Sequence, residues 1–213
     1  MNIVLLGPTG FVGSALLSEA LKRDHTVAAI VRNAQKLEKR DRLIVKTGDI
    51  YNFTALASLI AGNEALISAF NPGWQDPNLY DDQVRGTTSI IAAVKLAAIS
   101  RLLWVGGAGG LKNSQGVRLL DTETFPAKIK PGSLATAEAL EQLRKEPTLQ
   151  WSYLAPSADM HTGDRTGQFR LGHETLLVDS SGHSSISVQD YAVAMIDELE
   201  HPAHVRQRFT VGY

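Results

Sequence analysis

The sequence predicts an α/β fold, a doubly wound parallel sheet with helices on both faces and a small C-terminal lobe. Three observations carry that prediction. Short apolar runs recur along the 213 residues, separated by stretches whose apolar residues fall at helical spacing. The first run, Ile3-Val4-Leu5-Leu6, is apolar without alternation, as strands buried on both faces are. It ends in Gly7-Pro8-Thr9-Gly10-Phe11-Val12-Gly13, beyond which Val12, Leu16 and Ala20 repeat with a helix's period, Leu17 and Leu21 beside them.

Glycines spaced by three at a strand-to-helix turn are the setting of a dinucleotide-binding fingerprint, so the sheet is expected to be of Rossmann type. One glycine permits the tight turn, another lets backbone approach a pyrophosphate, and the last lets the helix lie close to the strand. The helix start then offers free N–H groups and a positive dipole end to phosphate. Gly7, Thr9, Gly10, Phe11, Val12 and Gly13 are therefore the candidate cofactor contacts of this turn. The alternative is a tight turn without a ligand.

Composition narrows the classes. Hydrophobic residues make up 44%, glycine is abundant at 18, and the formal net charge is −1. That charge gives no electrostatic case for nucleic acid or an anionic membrane. Cysteine is absent, which excludes disulfides, thiolate metal sites and a cysteine nucleophile. No apolar run approaches the ~18 residues of a membrane span. The first strand begins at once, leaving no room for a signal peptide. The expectation is one domain over residues 1–213, cytoplasmic, with no metal and an oligomeric state the residues do not fix.

The remaining elements follow in order. His25–Val31 reads as the second strand, and Arg32 closes it, followed by Asn33 and Lys36. Folds that prefer NAD place an acid about 20 positions past the glycines to bind ribose hydroxyls. Arg32 stands there instead. An acid would repel a 2′-phosphate, whereas a guanidinium binds it with two hydrogen bonds, so NADP(H) is expected over NAD(H). The alternative is a solvated loop arginine. Arg42–Lys46 is a third strand, Phe53–Ile60 a helix and Glu64–Ala69 a fourth strand. Ligands lie over the carboxyl ends of such strands, so Ala69 and Phe70 should border the ribose and nicotinamide. Trp74 either flanks a planar substrate or is simply packed.

Pro77 should open the next helix, with Val84, Thr87, Ile91, Val94 and Ala98 as its core face. Leu102–Val105 is a fifth strand ending in Gly106-Gly107-Ala108-Gly109-Gly110. Glycines there let backbone approach a ligand, making Gly106 and Gly107 candidate contacts. The stretch from Lys112 to Pro131 has no clear period and, at about 20 residues, is of the length that often borders active sites. A helix is expected over Ser133–Arg144 and a sixth strand over Leu149–Leu154. Gly163, Gly167 and Gly172 suggest turns on the substrate side, which makes the C-terminal part a substrate-side lobe. Ser187 should cap the last helix with Asp190 as its capping-box partner, Val188, Ala192, Met195 and Leu199 inward and Pro202 as the stop. Arg208–Val211 closes the chain as a strand.

The spacing GxxGxxG, together with WVGGAG, the stretch Trp151 to Gly172, ISVQDYAVAMIDELEHP and RFTVGY, resembles the NADH-flavin reductase group of atypical short-chain dehydrogenases. The chain is also similar to biliverdin reductase B and to NmrA-like proteins. The resemblance implies that Asp49 accepts the adenine amino group and that Ile50 covers the adenine ring; the alternative for Asp49 is a cap for the Phe53–Ile60 helix. It also implies a serine near Gly107 and a Tyr-x-x-x-Lys on the following helix. Neither is present: the nearest serine is Ser114, and the helix reads PGSLATAEALEQLR.

A carbonyl reduced by hydride becomes an alkoxide and needs a placed acid. Flavin or quinone reduction spreads the charge over a ring system, and water can complete the protonation. The expected function is therefore hydride transfer from NADPH to a planar acceptor, FMN or another flavin or a quinone, with backbone N–H groups near Gly107 to Gly110 steadying the charge. The competing expectation is a non-catalytic NADP(H) sensor like the NmrA-like proteins. His161 and Asp159 lie on the substrate side, and His161 either donates a proton or is solvated. Arg165 and Arg170 either meet a flavin phosphate or are solvated. His201 and His204 lack further ligands for a metal. No catalytic residue is assigned.

Overall fold

A computed structural model describes all residues 1–213. The first half alternates strand and helix: β1 (Asn2–Leu6), α1 (Phe11–Lys22), β2 (Thr26–Val31), β3 (Leu43–Thr47), α2 (Phe53–Ile60), β4 (Ala65–Ser68), α3 (Leu79–Leu96) and β5 (Arg101–Val105). The second half holds α4 (Lys130–Arg144), β6 (Gln150–Ala155), β7 (Asp159–His161), β8 (Arg170–Gly172), β9 (Ser185–Ser187), α5 (Val188–Glu200) and β10 (Gln207–Gly212). One sheet has the order β3-β2-β1-β4-β5-β6-β10-β8, parallel throughout except for β8. It is the expected Rossmann-type α/β architecture.

Side-chain alternation along the strands divides the core into two layers. Val4 and Leu6 of β1 face a core shared with α2, α3 and α4. Ile3 and Leu5 face the other core, built on α1 and α5. All four are essentially fully buried, which is why the run shows no alternation in the sequence. Strand order reverses between β1 and β4. The helices leaving β1 and β4 therefore diverge to opposite faces and open a crevice over the strand ends, the place where such sheets bind ligands.

Several expectations need correction. The buried face of α3 is Gln83, Gly86, Thr87, Ile90, Ala93 and Val94; Val84 and Ile91 are only half-buried, and Ala98 is exposed beyond the helix at φ 55°. Gly86 is the reason. A Cβ there would sit 2.4 Å from Phe70 Cε1, so the helix turns its smallest residue toward that ring. Pro77 lies in the turn before α3 rather than in it. Helix α4 starts at Lys130, three residues early, with Pro131 inside its first turn instead of in the loop.

Ser187 caps α5 as expected, accepting the Asp190 N–H at 3.0 Å. Asp190 does not return that bond. Fully buried, its carboxylate takes the Thr166 hydroxyl at 2.5 Å, the Gly167 N–H at 2.8 Å and the Tyr213 hydroxyl at 2.8 Å. The C-terminal lobe is the short parallel pair β7–β9 with the 162–169 strap, while β8 joins the main sheet antiparallel to β10.

Candidate cofactor site

The site begins at the glycine corner. Gly7 has φ 74°, and a Cβ on it would lie 2.4 Å from the Ala69 carbonyl oxygen. A Cβ on Gly13 would lie 1.9 Å from the Gly7 oxygen, so only glycine lets α1 lie this close to the end of β1. Gly10 caps α1 without a side-chain oxygen, and no acid stands in the first turn. The first-turn N–H groups are thus left open above the strand ends, a cradle of the right polarity for a diphosphate.

Beside this corner lies a cavity of about 390 Å³. It is lined by Gly7, Thr9 and Gly10 of the glycine corner, by Arg32, Asn33 and Lys36 after β2, by Asp49, Ile50 and Tyr51 after β3, and by Ala69 and Phe70 after β4. The side chains of Arg32 and Lys36 make no hydrogen bond or ion pair within the chain. Asn33 accepts the Gln35 N–H at 3.0 Å and so caps the short turn that carries Lys36.

Asp49 is exposed at the cavity wall, and one oxygen accepts the Tyr51 N–H at 3.0 Å. The cap of α2 is Asn52, not Asp49: its side chain accepts the Ala55 N–H at 3.1 Å. Ile50 and Phe70 are half-buried against the α2–α4 core. Tyr51 was missed by the sequence reading. Its ring meets Phe70 edge-on at 6.1 Å, and the Arg85 guanidinium lies 4.1 Å from its centroid. Its place directly after Ile50 was the available signal, but nothing in the sequence linked it to Arg85 on α3.

The cavity does not reach Phe11, Val12, Gly13, Gly106 or Gly107. Phe11 is about half exposed at the start of α1, and Val12 packs on the α1–α5 core. The glycines after β5 serve packing. Gly106 N–H donates to the Leu154 carbonyl at 2.8 Å, and a Cβ there would strike the Tyr153 ring at 2.2 Å. Gly107 N–H donates to the Tyr153 hydroxyl at 3.1 Å, and the Gly110 carbonyl accepts Arg208 Nη1 at 2.8 Å. Of the N–H groups from Gly107 to Gly110 expected to steady charge on an acceptor, that of Gly107 is thus taken by Tyr153.

Helix α4 holds no tyrosine, and the Tyr153 hydroxyl of β6 that lies against it is engaged. Burial pushes the Tyr153 hydroxyl up to about 12, and that hydroxyl donates to the Thr136 carbonyl at 3.0 Å. His161 and His183 lie 3.7 and 3.6 Å from the Asp159 carboxylate, all three well exposed. Arg165 pairs with Glu19 at 2.6 Å, and Arg170 donates to the Val178 and Tyr213 carbonyls, so neither waits for a phosphate. His204 is held by Glu198 at 2.8 Å and stacked on Phe209 at 4.2 Å. No group of three or more metal-ligating side chains is present, and no helix is long and apolar enough to cross a membrane.

A reversed parallel sheet, a glycine corner and an open helix start define a dinucleotide-binding protein. Residues 7–202 match the model of the NAD(P)H-binding family, and the chain belongs to that family. It is 38% identical to the Bacillus subtilis protein YwnB over 99% of this chain and 98% of that one. Among solved structures, a proposed epimerase from Bacteroides thetaiotaomicron is 46% identical with a TM-score of 0.93, covering 100% of this chain and 96% of that one. A Streptococcus pneumoniae protein described by inference as an NADH-flavin reductase is 33% identical with a TM-score of 0.85, covering 100% and 99%.

Proposed function

We propose that the protein is an oxidoreductase that binds NADPH and passes hydride to a flavin or quinone-like acceptor. The observation that carries this reading is the cavity over the strand ends, with the open helix start on one side and unpaired Arg32 and Lys36 on the other. The first-turn N–H groups of α1 would hold the diphosphate, and Arg32 with Lys36 the 2′-phosphate. Asp49 keeps an oxygen for the adenine amino group, and Ile50 supplies an apolar face. Bound NADPH would supply the hydride from its nicotinamide ring. Ala69 and Phe70 would set the depth of that ring over the sheet; the chain's own part is to hold two planar systems at reaction distance.

The missing acid favours an acceptor that spreads charge over its rings. Tyr153 is locked between Thr136 and Gly107, so a carbonyl substrate would find no donor there. The test is steady-state oxidation of NADPH and NADH with riboflavin, FMN and quinones. The reading expects turnover with at least one acceptor and a higher kcat/KM for NADPH. Tight NADP(H) binding with no turnover on any acceptor would leave the sensor reading instead.

A further inference from the structure

A second cavity, of about 270 Å³, adjoins the cofactor cleft and shares Asp76 with it. It is lined by Trp74, Pro77, Tyr80 and Asp81 from the β4–α3 side, by Lys128 in the turn before α4 and by Pro131 in its first turn. Trp74 is 60% exposed, whereas Trp104 and Trp151 are buried at 1% and 3%. Its exposure is built in. The edge of its ring rests on Gly132, where a Cβ would lie 2.6 Å from Cζ3, so α4 keeps a glycine to seat it. The same turn of α4 continues to Ser133 and Thr136, which pack on Gly109 and Gly107 at the end of β5. The link to the cofactor cleft is Asp76, which lines both this cavity and the cleft bordered by Ala69 and Phe70, where the nicotinamide would lie.

The charges around the ring are unbalanced. Asp76 and Asp81 carry carboxylates, and Lys128 is the one cation lining this cavity. Asp76 is engaged by the Asn78 N–H at 2.8 Å; Asp81 and Lys128 have no ion-pair partner. A phosphate dianion entering here would meet a net negative field, and an uncharged polar ring would not. The volume is just under the roughly 300 Å³ at which drug-sized pockets begin, enough for a fused-ring head without a long tail.

We propose that this cavity is the acceptor site, that Trp74 is its stacking platform, and that Asp76 with Asp81 selects uncharged ring acceptors over phosphorylated flavins. The proposal rests on the oxidoreductase reading for its use and on the cavity alone for its binding.

Binding is therefore tested apart from turnover, by calorimetric titration of the NADP⁺-loaded protein with riboflavin and with FMN. Riboflavin is expected to bind about tenfold more tightly than FMN, a ratio set by one uncompensated charge at a partly solvated site. Trp74→Leu should weaken riboflavin about tenfold, Trp74→Phe should retain most of the affinity, and NADP⁺ affinity should not change in either. Asp81→Lys should abolish or reverse the preference. Both positions are exposed, so neither change threatens the fold. Equal binding of the two flavins by the unaltered protein, or riboflavin affinity untouched by Trp74→Leu, overturns the site. If turnover is found but ignores both changes, the acceptor lies elsewhere while the oxidoreductase reading stands. If binding behaves as stated and no acceptor is reduced, the site stands and that reading falls.

Discussion

Arg32 and Gly13 show how differently two residues of one site reveal themselves. Gly13 is legible because its demand is local: a side chain there collides with the Gly7 oxygen whatever the rest of the molecule does. Gly13→Ala should cost about 3 kcal/mol through that collision and also weaken NADPH binding, read by thermal unfolding and by titration. Arg32 is legible only as a charge at the end of β2. Its lack of an internal partner, which leaves it available to a phosphate, is a tertiary fact. Arg32→Ala should weaken NADPH by about 2 kcal/mol, roughly thirtyfold, and leave NADH nearly unchanged. Equal loss for both coenzymes would remove its role in choosing between them. Asp49 lies between these cases. Its turn with Tyr51 was readable in principle, yet the helix cap fell to Asn52, a better-placed amide for the Ala55 N–H.

At the scale of elements, the strap over residues 162–169 is held by two buried carboxylates. Asp190→Ala would leave the Thr166 hydroxyl, the Gly167 N–H and the Tyr213 hydroxyl without their acceptor. A loss of about 3 kcal/mol is expected in denaturant unfolding, with the strap's amides exchanging faster. Glu19 on α1 takes Arg23 at 2.6 Å and Arg165 at 2.6 Å, and Arg23 continues to Asp197 at 2.6 Å and Glu200 at 2.8 Å on α5. Burial alone would raise the Glu19 pKa, but the hydrogen bonds from Arg165 and Arg23 outweigh it and hold it below its usual 4.5. Glu146 follows the same balance through Lys95 and Thr148, down to about 2. A carboxylate with a depressed folded-state pKa contributes its full stability above the ordinary value and loses it as pH falls through the folded one. Stability should therefore decline between about pH 4.5 and 2. Glu19→Gln should flatten that decline and lower stability at neutral pH. An unchanged acid slope would remove Glu19 from the account. The misjudged face of α3 belongs here as well: period alone cannot see that Gly86 must face Phe70.

For the molecule as a whole, coenzyme binding and folding are one equilibrium, because the crevice exists only when β1 through β4 are assembled. NADPH at a hundred times its Kd should add ~2.7 kcal/mol and raise Tm by ~5–10 °C. NADH at the same concentration should raise it less, and Arg32→Ala should erase the difference. The surroundings of the glycines after β5 are decided at this scale too. Tyr153 from β6 and Thr136 from α4 occupy the space beside them, and neither neighbour is close in sequence.

The sequence by itself determined the parallel strands β1 to β6 and β10 and the glycine corner, since each follows from residues within a few positions of one another: unbroken apolar runs, glycine-only backbone and helical period; the three-residue strands β7, β8 and β9 carry no such run and were settled by pairing across the fold. It also placed the arginine that closes β2. The tertiary structure alone decided which of the candidate polar groups remain free. Arg165, Arg170, His204, Asp190 and the Gly107 N–H all found partners across the fold, while the side chains of Arg32 and Lys36 did not. A hydrogen bond is settled by distance in space, and only the packed chain brings residues such as Glu19 and Arg165 together.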